Sequence, residues 1–386
     1  MKTYTFFLSD SSQVTITTPG PTPLGPSTFI HSEPSTSQTY SSWHITLASS
    51  SPDPPTFNSD LITISSALTA DSKPHHDPVF VLYATLLWYF QLPFVPQTLS
   101  RGQPLPKWSI TLNRGSGLFS TEETLAAAEQ AGLVCLFDSP VSNGGLIPVA
   151  LQRAFWHCTY PFMKLPSPAI FTMTGTTRHP IRPRPQRRLY RRHIPSVNSI
   201  LSFRLATMAD APLVNRWMNN PRVSAFWNEE GDITQTEKFL RDGLDKRHTF
   251  PVIGCWEELI RTDDGGYRES GKEEPFGYFE VYWVKEDVLG QYCDAGHWER
   301  GIHVLVGEER FRGEQRVKAW LGGIVHYCFL DDPRTMVVTL EPRVDNEKFI
   351  GYLMREGFYK EKEFAFPHKQ AALMRLRREA WDGPSA

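Results

Sequence analysis

The chain has few of the features that would assign it to a specialised class. Its five cysteines, Cys135, Cys158, Cys255, Cys293 and Cys328, are odd in number and widely scattered, with no CxxC pair. That disfavours a disulfide framework and a zinc site, and it suits a reducing compartment. Charge of one sign is lacking as well. Forty Lys and Arg against 42 Asp and Glu leave a net −2, which gives no bulk attraction for nucleic acid or an anionic membrane. Only one long apolar run occurs, from Pro78 to Val95, and Gln91 and Pro93 interrupt it. A buried helix is expected there rather than a membrane span. Adjacent His75 and His76 have no evident third partner, so no metal is expected. The opening MKTYTFFLSDSSQ is too short in its apolar part for a secretory signal. The closing DGPSA does not match a peroxisomal SKL-type signal. A cytoplasmic protein is expected, with peroxisomal association left open.

What is present is the material of a soluble globular protein. Of the 386 residues 40% are hydrophobic and 21% charged, and that length predicts two domains. The Ser/Thr/Pro-rich first 60 residues alternate in TYTFFL and QVTITT, as strands do. KWSITLNRG reads as a strand, and STEETLAAAEQAGL as a helix capped at Ser120 or Thr121 and stopped by Gly132. The arginine- and proline-rich Arg178–Pro195 reads as an extended linker, because proline forbids a regular helix and like charges repel. Beyond it strands and helices alternate. A strand ILSFRLA precedes a helix with Ala211, Val214 and Met218 at helical spacing, and TQTEKFLRDGLDKR is a second helix. FPVIGCWEEL, PFGYFEVYWV and RGIHVLVG read as strands. GEQRVKAWLGGIVHYCFL is a long helix, TMVVTLEP a strand, DNEKFIGYLMREGF a helix, and two strands close the chain. The fold class is therefore α/β, of the α+β kind.

The stretch GIHVLVGEERFRGEQ carries the chemistry. His303 and Leu305 share one strand face, and Ile302 and Val304 the other. After the strand, Gly313 opens a helix beginning Glu314, Gln315, Arg316, with Arg310 and Arg312 just before it. Unpaired N–H groups at a glycine-bearing helix start, with arginines around them, can hold a diphosphate. Asp345 and Asn346 stand where an N-cap is needed, and Asp345 can also serve the chemistry. Glu280 lies within the aromatic strand YFEVYW and needs a partner, either a substrate amine or an internal arginine. Trp227, Tyr282, Trp283 and Phe226 are candidates to line an acceptor pocket.

These elements in this order resemble the Gcn5-related N-acetyltransferase (GNAT) fold. Arg310-Phe311-Arg312-Gly313-Glu314-Gln315 is similar to that family's R/Q-x-x-G-x-G/A pyrophosphate loop, with Gln315 departing from the final Gly or Ala. Within the family, WMNNPRVSAFWNE, GYFEVYWVKED, RGIHVLVGEERFRGEQ and EPRVDNEKFIGYLMREGF together resemble the siderophore branch, over residues 200–378. The length and N-terminal composition are similar to fungal hydroxyornithine transacylases.

The resemblance implies three segments. A degenerate GNAT-like α/β domain would occupy 1–177, a basic linker 178–199 and the catalytic domain 200–386. It implies an acyl-CoA-dependent enzyme converting N-delta-hydroxy-L-ornithine to a hydroxamate, by acetyl or anhydromevalonyl transfer, with no metal. His303 and Asp345 would be catalytic. Val304, Val306, Arg310, Arg312, Gly313, Glu314, Gln315, Arg316 and Asn346 would bind acyl-CoA. Trp227, Glu280, Tyr282 and Trp283 would bind the acceptor. Small molecules are the expected partners, without nucleic acid or membrane, and a homodimer is left open. The general base is expected to be His303, oriented by Asp345, although the reverse stays open. Transfer to another amine, as on an antibiotic or a protein N-terminus, and a non-catalytic acyl-CoA-binding module are the alternatives.

Overall fold

The computed structural model describes the strands and helical segments lying between residues 2 and 158, residue 166, and residues 168–384 apart from 186–187 and 264–266. His75 and His76 lie outside the described residues, as do Ser120 and the loop at 114–119. The chain forms two compact units, residues 1–163 with 260–268, and residues 164–259 with 269–386.

In the N-terminal unit, alternating sequences pair as antiparallel strands β1 (Lys2–Phe7), β2 (Gln13–Thr18), β3 (Thr28–Glu33), β4 (Ser41–Ala48) and β5 (Leu61–Ser66). Strand β6 (Trp108–Asn113) then lies parallel to β5. Helix α1 (Thr121–Gln130) ends where Gly132 takes φ 78°, a left-handed conformation that favours glycine. Strands β7 (Cys135–Asp138) and β8 (Leu146–Ala150) follow, β8 lying between β6 and β7, and α2 (Gln152–His157) closes the described part. Within the apolar run Pro78–Val95, the described Val79, Leu82, Leu86 and Phe90 are buried. Among the described residues, no helix is long and apolar enough to cross a membrane.

The C-terminal unit begins with a hairpin of β9 (Phe171–Thr174) and β10 (Thr177–Pro180). Its large sheet starts with antiparallel β11 (Arg188–Ile194) and β12 (Ser199–Leu205). Helices α3 (Ala211–Met218), α4 (Pro221–Trp227) and α5 (Ile233–Asp245) follow. Their starts are written locally. Asn220 accepts from the Arg222 N–H, Pro221 fills the first turn of α4, and Asp232 with Gln235 forms a capping box on α5. Then come β13 (Thr249–Glu258), β16 (Glu274–Trp283) and β17 (Arg300–Val306), while the small hairpin of β14 (Ile260–Arg261) and β15 (Tyr267–Arg268), between β13 and β16 in sequence, belongs to the N-terminal unit. Helix α6 (Glu314–Asp331), β18 (Val337–Leu340), α7 (Glu347–Arg355), β19 (Tyr359–Ala365) and β20 (Gln370–Arg377) complete the unit.

This sheet runs β11-β12-β13-β16-β17-β18-β20-β19, antiparallel throughout except for the parallel step from β17 to β18. The N-terminal sheet has the same order: five antiparallel strands, a parallel step, and a last strand inserted before its predecessor. Helices cover both faces of the C-terminal sheet. Ala211, Val214, Trp217, Met218 and Leu240 from α3 and α5 pack on Ile253, Tyr278 and Leu305. On the other face Trp320 of α6 meets Phe279, and Gly323 brings that helix so close that an added Cβ would lie 2.6 Å from Leu201.

The basic stretch 178–199 departs from the linker reading. It contributes β11, the first strand of the large sheet, and belongs to the C-terminal unit, whose start lies at Lys164. Carboxylates opposite, the buried Glu286 and the half-buried Glu269, offset repulsion among its arginines. Arg182 makes a bidentate pair with Glu286 at 2.6 and 2.8 Å, and Arg191 meets Glu269 at 2.7 Å. Its backbone is extended as expected, but as a paired strand of the sheet.

Candidate active site

Strands β17 and β18 are paired only at Arg300↔Val338 and Gly301↔Thr339, after which they part. On its other side β17 stays bonded to β16, through Val284 N–H to Glu299 O at 3.0 Å and Gly307 N–H to Phe276 O at 2.9 Å. Antiparallel alternation therefore turns the amides of odd-numbered residues towards β16. The amides of Ile302, Val304 and Val306 are left facing the gap. That gap opens into a cavity of about 690 Å³, lined from β17 by Ile302 to Val306 and from the opposite side by Leu340 to Arg343.

One end of the cavity suits an anion. Arg312 and Gly313 line it where α6 begins. Gly313 has φ 118°, no side chain caps the helix, and an added Cβ would meet nothing within 4 Å. The uncapped, positive end of an 18-residue helix therefore lies at the cavity's edge, which Gly313 lines. Across it lie Asn346, Lys348, Phe349 and Tyr352 from the start of α7 and its first turns. Asn346 also caps that helix, accepting from the Phe349 N–H at 3.4 Å. The remaining loop residues expected at the diphosphate are employed elsewhere. Arg310 pairs with Glu274, Glu314 lies 3.4 Å from Arg355, and Arg316 stacks on Trp256 at 4.4 Å. Neither these three nor Gln315 lines the cavity.

At the cavity's other end His303 stands between two carboxylates. Its Nδ1 is 2.8 Å from Glu280 Oε2, its cross-strand neighbour on β16, and its Nε2 is 2.6 Å from Glu341 Oε1. A neutral imidazole has one N–H, so one of these contacts would set lone pair against lone pair. Both contacts are satisfied by an imidazolium. Burial works against that charge, but Glu341 above all, and Glu280, outweigh it and hold the His303 pKa well above its ordinary value. Glu341 is likewise opposed by burial, yet its contact with His303 and the nearby Lys369 lower it to about 2. The hydroxyl of Tyr282 donates to Glu341 Oε2 at 2.8 Å, and that of Tyr278 to Glu280 Oε1 at 3.0 Å.

The expected residues thus divide. His303 and Glu280 come together, and Trp227 joins them with its ring edge-on, 6.2 Å from the imidazole. The partner of Glu280 is neither an arginine nor an open vacancy for a substrate, but His303. Tyr282 lies beneath the site rather than in its wall, and Trp283 is buried between Arg300 at 3.9 Å and Arg182 at 4.2 Å. Asp345 is not the partner of the histidine. It is exposed and bonded to Arg343 at 2.6 and 3.0 Å, outside the cavity lining. Glu341, four residues earlier, holds that place. Sequence reading passed it over, though it directly ends the strand parallel to that of His303. With a carboxylate oxygen at hydrogen-bond distance from each ring nitrogen, His303 is placed to donate from both. Among the described residues, no group of three His, Cys, Asp or Glu is placed to hold a metal.

Residues 206–366 match the model of the acetyltransferase (GNAT) domain. The chain is 40% identical over 230 residues to an N5-hydroxyornithine acetylase of Beauveria bassiana, covering 52% of this chain and 39% of that protein. It is 38% identical over 193 residues to an N(6)-hydroxylysine O-acetyltransferase of Escherichia coli, covering 50% and 56%. A cis-anhydromevalonyl coenzyme A transacylase of N(5)-hydroxyornithine, also from Beauveria bassiana, is 39% identical over 52% of this chain and 42% of its own. The chain spans about half the length of these relatives. A crystal structure of an uncharacterized protein from Bacillus halodurans aligns over 50% of this chain and 91% of its own, with 28% identity and a TM-score of 0.44. The segment 206–366, which holds β17, the uncapped start of α6 and the Glu280–His303–Glu341 group, belongs to the GNAT acetyltransferases.

Proposed function

We propose that the chain is an acyl-CoA-dependent N-acyltransferase that converts N-delta-hydroxy-L-ornithine to a hydroxamate for siderophore biosynthesis. The observation that carries this reading is the single cavity reaching from the start of α6 to the Glu280–His303–Glu341 group. One end suits a diphosphate. The other has the carboxylate of Glu229 beside Trp227 and Phe239, which suits a cationic amino-acid side of an acceptor. The names borne by the relatives support the acceptor class.

The donor's residues follow from the geometry. Arg312, Gly313 and the α6 amides would hold the diphosphate, and the amides of Ile302, Val304 and Val306 would line the pantetheine arm, with Asn346 opposite. A bound thioester supplies an electrophilic carbonyl and a thiolate leaving group. A hydroxylamine nitrogen is unprotonated near neutrality, so alignment does much of the work. A gap-facing β17 amide stabilises the developing oxyanion. Glu280, the more exposed carboxylate, accepts the proton from nitrogen, while the His303 imidazolium gives one to the departing sulfur. Transfer of the proton from Glu280 to His303 along their 2.8 Å contact restores the resting state. Protons balance over the cycle.

The strand order of the N-terminal sheet supports reading that unit as a degenerate copy of the same fold. Five free cysteines support a reducing, cytoplasmic place of action. The test is incubation of the protein with hydroxyornithine and a panel of acyl-CoAs, followed by mass analysis. A hydroxamate with acetyl or anhydromevalonyl mass is expected; absence of product with every donor would overturn the reading.

A further inference from the structure

Lys369 reaches the acid–base group from outside it. It sits in the turn joining β19 to β20, where Phe366 N–H donates to Lys369 O at 2.8 Å. Its ammonium donates to the main-chain oxygen of Glu341 at 2.9 Å and lies 3.4 Å from Glu341 Oε1, the same oxygen that meets His303 Nε2. The Glu341 side chain is 4% exposed and that of Lys369 20%. A carboxylate so buried needs compensation, or it takes up a proton. The charges balance only with the lysine included: Glu280 and Glu341 against His303 and Lys369.

We propose that Lys369 is a positioning residue of the acyl-transfer centre, keeping the Glu341 carboxylate charged and aimed at His303. The inference rests on the function proposed above for its catalytic consequence, but not for its electrostatic one. The groups facing Glu341 are few. Tyr282 and, through His303, Glu280 come from β16; His303 comes from β17; Lys369 comes from the β19–β20 turn, whose His368 also lines the cavity. Arg343, on Glu341's own turn, is engaged by Asp345, and Glu229 at the end of α4 adds a further carboxylate to the cavity wall. Lys369 is therefore the second cation of the group. A purely structural role, in which the lysine only ties its turn to the Glu341 main chain, requires a donor but no charge.

Three variants separate these roles: Lys369→Gln keeps a donor without charge, Lys369→Met keeps neither, and Lys369→Arg keeps both. In the full chain with 15N-labelled histidine, the His303 signal is identified by its loss in His303→Asn and followed against pH. Removing the cation raises the proton affinity of the Glu280–His303–Glu341 group. In Lys369→Gln and Lys369→Met, the acid-side transition should move up by about one pH unit or more. The acid limb of kcat should move with it, while KM for acyl-CoA stays unchanged and Lys369→Arg titrates as wild type. A folded Lys369→Gln protein whose His303 signal and kcat profile follow the wild type would overturn the proposal. If no acceptor is ever turned over, the histidine titration still decides the electrostatic claim separately from the enzymatic one.

Discussion

His303 has two nitrogens and a carboxylate oxygen at hydrogen-bond distance from each. This arrangement, rather than the identity of the residue alone, sets its behaviour. Replacing His303 by Gln, or Glu341 by Gln, should lower kcat by roughly 10²–10⁴, the usual range for losing a positioned acid or base. Asp345→Asn should leave kcat near wild type, because its carboxylate is exposed and holds only Arg343. Steady-state assays of the three variants check this directly. The charge on His303 also links to stability. Its folded-state pKa is raised above the unfolded value, so its contribution is complete below about pH 6.5 and is lost as pH rises through the folded value. His303 and Glu280 were legible in the sequence, as polar groups that apolar strands would not carry without a reason. Their pairing was not, because the register of β16 against β17 depends on a long connection that sets no alignment by itself. Glu341 and Asp345 are two acids four residues apart in EPRVD. Only the point at which β17 and β18 part tells which of them faces the histidine.

That parting is the element on which the site depends. Gly301 sits at its root, and a Cβ there would fall 2.1 Å from the Tyr282 ring. The glycine thus makes room for the ring whose hydroxyl supports Glu341. Gly301→Ala should destabilise the protein by about 1–3 kcal/mol through overpacking and depress kcat as well. Melting temperature and rate measured on the same preparation check both. Gly313→Ala acts differently. The space around it is open, so the cost, about 1 kcal/mol, comes from its φ of 118°. A displaced helix start should raise KM for acyl-CoA more than it lowers kcat. The existence of α6 and its glycine-bearing start was legible from the apolar helix after RFRG. Which arginines face the cavity was not, since Arg310 and Arg316 are drawn off by Glu274 and Trp256, residues distant in sequence.

At the scale of the whole molecule, one strand order occurs twice, yet the Glu280–His303–Glu341 group belongs to the C-terminal unit. On the proposed function the transfer step is placed there, and His303→Gln should lower hydroxamate formation by the factor given above. Strands β1, β2 and β6 and helix α1 were legible from alternation and turn residues. The boundary between units was misplaced because a run of arginines and prolines reads as a linker until the glutamates opposite it, Glu286 and Glu269, are known. On the proposed function, the chain works with a charged histidine between two carboxylates. The pH dependence of kcat for hydroxyornithine acylation at saturating acyl-CoA tests it most directly. The rate should pass undiminished through pH 6.5, the ordinary imidazole value, and fall only well above it. A rate that climbs with pH through about 6.5 would show a neutral His303 acting as the base and would contradict this account.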